Sequence, residues 1–159
     1  MPKKKSTVDS TVVDRHKDLR DFLDRVEEMG ELRQLDGVDW NLEMGALAEM
    51  VCHESREGKS PALLFDEIPG YPKGFRVLSG ATNSSRRLAY ALGFPEPSGP
   101  TDVVKAFRDR VRTEFELIPP IEIERGPVFE NIDRDDEVDL YKFPIPFIHE
   151  FDGGRYIGT

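Results

Sequence analysis

Cysteine is almost absent: Cys52 is the only one among 159 residues. That excludes an internal disulfide and fits a reducing, cytoplasmic setting. Cys52 follows Val51 on an apolar helical pattern, and no basic group is placed to activate its thiol. It is expected as a small core residue rather than a nucleophile. Histidine is scarce too. His16, His53 and His149 sit in no CxxC, HExxH or EF-hand spacing, which argues against a local metal motif. Glu49 and His53 stand at i and i+4 and could share a ligand, or form an ordinary surface charge pair. No apolar run reaches the roughly 18 residues of a membrane-spanning helix, and the N-terminus has no signal-peptide core. Positive charge is in deficit, with 22 basic against 31 acidic residues and a net charge of −9. That balance opposes nucleic-acid binding, which works by neutralising phosphates. The one basic cluster, Lys3 to Lys5, lies in a polar, aperiodic stretch. Residues 1–16 are read as a flexible tail.

What is present suffices for one domain and the start of another. Leu19, Phe22, Leu23, Val26 and Met29 share one face of a 3.6-residue period and predict a helix. Asp14 or Asp18 can cap its start, and Gly30 sits where a left-handed stop belongs. Glu31 to Leu35 predicts a short strand. A second helix is expected from Leu42 to about Arg56, with a break at Gly58-Lys59-Ser60-Pro61. Ala62 to Phe65 is a compact apolar run and the expected buried strand. Turn residues from Pro69 to Gly74 lead to a returning strand over Phe75 to Leu78, a hairpin with a wide loop. Ser84 to Gly93 predicts a short helix. A helix from Thr101 to about Glu116 is expected to bury Val104, Phe107 and Val111. Past Pro119-Pro120 the pattern changes. Ile121 and Ile123 alternate with glutamates, and Val128 to Ile132 and Val138 to Phe143 look like short strands around an acidic turn. The expected class is α+β: a mixed α/β domain over 17–125, then the first strands of an incomplete all-β unit over 126–159.

Three constellations could carry chemistry. Ser79 to Arg87 joins a strand to a helix N-terminus, where free backbone N–H groups, small hydroxyls and two arginines favour an anion. It lacks a Walker lysine and a GxGxxG, so a plain capping loop is the alternative. Asp133, Asp135, Asp136 and Glu137 form an acidic turn open to a divalent cation or to solvent alone. His149-Glu150-Phe151-Asp152-Gly153-Gly154-Arg155 is denser, because its two glycines permit a sharp turn. Its histidine, carboxylate and arginine could line an anionic-substrate or cofactor site, or Asp152 and Arg155 could pair to fix the turn. The stretch from Leu140 to Thr159 ends in a strand that has just begun, which is expected to lack a pairing partner.

These stretches, taken in order, resemble the N-terminal portion of the UbiD-like decarboxylases. The resemblance rests on Asp18 to Leu23 with Gly30-Glu31-Leu32, on Pro61 to Phe65 with Gly70-Tyr71, and on Arg86 to Ala89 with Ala91-Leu92-Gly93. It is most specific at Pro144-Ile145-Pro146, His149 and Asp152 to Ile157. It covers about residues 17 to 159. It implies an α/β domain followed by a split β-barrel related to flavin reductases, in a cytoplasmic homo-oligomer. It also implies reversible, non-oxidative decarboxylation of an aromatic or α,β-unsaturated carboxylic acid. Prenylated FMN would serve as electron sink, held with a divalent Mn or Mg ion. The family's metal, flavin and catalytic residues follow the stretch matched by Gly153 to Thr159. No catalytic, cofactor-binding or metal residue is therefore assigned here, and neither flavin nor metal is expected on this chain alone. The alternative is a non-catalytic interaction subunit that docks onto a complete decarboxylase.

Overall fold

A computed structural model describes residues 16–54, 60–113, 119–155 and 157. Helix α1 spans Leu19–Glu28. Asp18 caps it, its side chain accepting from the amides of Arg20 at 2.8 Å and Asp21 at 3.0 Å. Gly30 ends it with φ of 73°. There the amides of Gly30 and Glu31 return to the carbonyls of Glu27 and Val26, which satisfies groups a helix end otherwise leaves bare. Of the apolar stripe, Phe22, Leu23 and Val26 are buried.

Strand β1 (Leu32–Asp36) runs parallel to β2 (Ala62–Asp66), and β2 pairs antiparallel with β3 (Val77–Ser79). The expected hairpin therefore forms, and the central strand is the expected one. Side chains alternate across a strand, and β2 is covered on both faces. Ala62 and Leu64 pack with Phe22, Leu23 and Val26 of α1. Leu63 and Phe65 pack with Ile68 and with Met44 of helix α2 (Glu43–Glu54). This explains why β2 is an unbroken apolar run. Cys52 lies on α2 but is exposed, contrary to the core position expected for it. Of the expected break at Gly58-Lys59-Ser60-Pro61, the first two residues lie outside the described residues, and Ser60 and Pro61 lead directly into β2.

Helix α3 (Ser85–Leu92) is capped by Ser84 and stopped by a left-handed Gly93. Helix α4 (Pro100–Thr113) packs on α3. The buried face of α4 differs from the expected one. Val103 is 5% exposed, whereas Val104, Phe107 and Val111 are 67%, 51% and 46% exposed. Val103 and Ala106 meet Ala89 and Phe94, and the Arg110 guanidinium lies 4.2 Å from the Phe94 ring centroid. Among the described residues α4 packs chiefly on α3 and Phe94, and it buries one narrow stripe.

Beyond residue 119 the strands expected over 128–132 and 138–143 are replaced by single turns of 3-10 helix at Pro127–Phe129, Asp135–Glu137 and Leu140–Lys142. A strand needs a neighbour to complete its ladder, and among the described residues none pairs with these, so short-range turn bonds prevail. The class remains α+β. The segment from Phe143 onward returns to the domain. Phe147 bridges to Asn41, its amide donating to the Trp40 carbonyl at 3.0 Å and its carbonyl accepting from Leu42 at 2.9 Å. Gly45 permits this approach: a Cβ there would lie 2.2 Å from the Ile148 carbonyl oxygen.

Candidate functional site

The 149–155 turn is fixed from within and from several other segments. The His149 amide donates to Asp152 Oδ2 at 2.9 Å, and the Asp152 amide returns to the His149 carbonyl at 3.1 Å. The His149 ring lies between two carboxylates, with Nδ1 3.5 Å from Asp152 and Nε2 3.6 Å from Glu49 of α2. The other Glu49 oxygen is 3.5 Å from His53 Nε2, so the i, i+4 contact forms on an exposed surface. Asp152 and Arg155 do not pair. Arg155 instead donates to the Tyr71 hydroxyl at 2.8 Å and stacks on Trp40, 3.1 Å from the ring centroid. Sequence reasoning missed both partners. The signal was present, since Trp40 is the only tryptophan and Tyr71 lies in the Gly70-Tyr71 stretch, but nothing local joined them to residue 155.

The loop from Ser79 to Arg87 turns its cation inward. Arg87 is fully buried. Its Nε donates to the Ala81 carbonyl at 3.0 Å, its Nη2 to the Gly80 carbonyl at 3.1 Å, and its Nη1 to Glu31 at 2.6 Å. The Ser84 hydroxyl also donates to Glu31 at 2.6 Å while accepting from the Arg87 amide at 3.1 Å. Burial pulls the Arg87 guanidinium below its ordinary pKa, and Glu31 opposes that shift. All three side-chain nitrogens are engaged, so Arg87 does not face a phosphate. The capping alternative describes this loop. Glu31 is the partner that sequence reasoning overlooked.

In the acidic turn, Asp133 pairs with Lys142. Among the described residues no group of three or more His, Cys, Asp or Glu is arranged to hold a metal ion. The described residues therefore offer no ligand set for the divalent ion that the resemblance implies. One apolar cavity of about 510 Å³ lies between the sheet and the returning segment, lined by Met44, Phe65, Val77, Phe143, Ile145 and Ile148. Among the described residues no helix is long and apolar enough to cross a membrane.

Comparison with known proteins gives this arrangement a context. Residues 23–107 match the 3-octaprenyl-4-hydroxybenzoate carboxy-lyase N-terminal domain, and residues 121–159 match the Rift-related domain of the same family. The chain is 42% identical over 152 residues to the pyrrole-2-carboxylic acid decarboxylase of Pseudomonas aeruginosa, covering 89% of this chain and 29% of that protein. It is 29% identical over 155 residues to ferulic acid decarboxylase 1 of Candida dubliniensis, covering 88% and 29%. Vanillic acid decarboxylase of Sedimentibacter hydroxybenzoicus superimposes with a TM-score of 0.73 in its closed form and 0.72 in an open form, at 29% identity. Those matches cover 89% and 90% of this chain, and 29% and 30% of the solved one. The chain thus spans less than a third of the length of these relatives. With one family domain matched across more than half of its residues and a second following in order, the chain belongs to the UbiD family of carboxy-lyases.

Proposed function

We propose that this chain is the N-terminal part of a decarboxylase. Its reaction is reversible, non-oxidative (de)carboxylation of an aromatic or α,β-unsaturated carboxylic acid with prenylated FMN. The observation that carries this reading is the 42% identity to pyrrole-2-carboxylic acid decarboxylase across nearly the whole chain. Ferulic acid decarboxylase, also similar, is named for an acid whose carboxylate is conjugated to a double bond. Both names join a carboxylate to an unsaturated carbon, which is the chemistry an electron sink serves.

The physical arrangement supports a scaffold role for these residues. Arg87 is held by Glu31 and two carbonyls, and Arg155 by Trp40 and Tyr71. The flavin, its Mn or Mg ion and the small carboxylic acid then belong to polypeptide outside these 159 residues, and the chain alone is inactive. The whole protein works in the cytoplasm as a homo-oligomer.

The test has two arms. The chain is first purified from cells that supply the prenylated flavin. No stoichiometric flavin absorbance and no CO₂ release from pyrrole-2-carboxylate or ferulate are expected. The chain is then joined to the remaining polypeptide of the Pseudomonas relative, and both signals should appear. Equimolar flavin on the isolated chain would overturn the scaffold role. A flavin-loaded chimaera that releases no CO₂ from either acid would overturn the decarboxylase reading.

A further inference from the structure

Arg155 makes contacts unlike those of a surface arginine. Among the described residues it forms no ion pair. Its guanidinium carbon lies 3.1 Å from the centroid of Trp40 and 5.3 Å from that of Tyr141, while Nη1 donates to the Tyr71 hydroxyl at 2.8 Å. Trp40 belongs to the loop between β1 and α2, Tyr71 to the β2–β3 connection, and Tyr141 to the last 3-10 turn. One side chain therefore ties three separate segments, and the Tyr71 bond spans 84 residues of sequence. Trp40 is held a second time by its backbone, since its carbonyl accepts from Phe147. The next residue, Asn41, bridges Phe147, and Leu42 adopts a left-handed φ of 67° where its amide meets the Phe147 carbonyl. Backbone strain of this kind persists only where surrounding contacts over-determine it.

A guanidinium suits this place for a specific reason. It is planar, so it can stack on an indole and donate in its own plane at once. An ammonium does one or the other. We infer that Arg155 is a positioning residue: it clamps the 149–155 turn of the Rift-related region onto the N-terminal domain. Its bearing on decarboxylation rests on the function proposed above. The clamp itself does not.

Trp40, as the only tryptophan, reports the clamp directly. In R155A its emission maximum should move to longer wavelength, and its quenching by acrylamide should rise about twofold as the ring loses its cover. The amides of Leu42 and Phe147 should exchange about tenfold faster. R155K should resemble R155A in the Trp40 signal, and Y71F should lie between R155A and wild type. An arginine acting only through its charge would be rescued by lysine, and that rescue would overturn the proposal. So would unchanged Trp40 emission and exchange in R155A with intact circular dichroism. Acetate that uncovers Trp40 in the wild-type chain would also overturn it, by showing the guanidinium free to take a carboxylate. If R155A does not fold, R155K and Y71F carry the same test. These readouts use the chain alone, so an inactive chimaera would leave them standing, and an active chimaera would not rescue them.

Discussion

Arg87 shows how one buried cation organises a loop. Its guanidinium bonds two carbonyls of the 80–81 turn and one carboxylate of another element, so removing it strips a donor from each of them, with Glu31 left to Ser84 and Arg86 and the Gly80 carbonyl to the Asn83 amide. Breaking a buried pair from one side costs up to about 3–5 kcal/mol, and less where the surviving charge keeps other donors, as Glu31 does. R87A should lose stability within that limit by urea unfolding, and a loss below about 1 kcal/mol would show that water replaces the guanidinium freely. Asp18 acts at the surface, and pH controls it. The amide of Asp21, joined by that of Arg20, holds its carboxyl below the ordinary value of 3.8. A depressed folded pKa stabilises the folded state above the unfolded value, and that stability is lost as pH falls through the folded one. Protonation also removes the best acceptor for the first-turn amides. The α1 amide signals in NMR should therefore weaken on acidification from about pH 5 to pH 2. D18N, which caps without titrating, should remove that component. An equal acid response in wild type and D18N would contradict the assignment.

At the scale of elements, α4 separates helix formation from helix placement. Two apolar stripes lie side by side on it, and the periodicity supports both. Its contact with α3 selects the stripe through Val103 and Ala106. V103A should destabilise the domain by about 1–3 kcal/mol, as cavity-forming core substitutions do. F107S should change stability by no more than about 0.5 kcal/mol. Thermal unfolding of the two variants decides, and the reverse ranking would restore the face expected from sequence. The segment from 121 to 142 illustrates a related point. Alternating isoleucines and glutamates carry the pattern of a strand, but a pattern makes a strand only when another backbone completes its hydrogen bonds.

Across the whole molecule, burial is uneven. The two main cores sit on either face of β2, around α1 and α2. By contrast Ile121, Ile123, Val128, Phe129, Ile132, Val138, Leu140 and Phe151 are all more than half exposed. Most of these residues belong to the 121–142 segment, which joins no sheet among the described residues. Its amides are protected only by single turns, whereas those of β2 lie in a ladder between two neighbours. Hydrogen exchange of the isolated chain should be fast over 121–142 and slowest over Ala62 to Phe65. Protection of 121–142 equal to that of β2 would show that these residues are already paired, for example between copies.

The sequence by itself determined the helices, the caps of α1 and α3, the central strand and its hairpin partner, and the family. Each of these is written in short range: apolar spacing within a few turns, Asp18 or Ser84 at a start, Gly30 or Gly93 at a stop. Only the tertiary structure decided that Arg87 meets Glu31, that Arg155 meets Trp40 and Tyr71, that Cys52 stays outside, and that α4 turns Val103 inward. The reason is physical. A cation binds whichever carboxylate, carbonyl or ring the chain path brings within about 3 Å, and pairs separated by 56 or 84 residues leave no trace in local spacing.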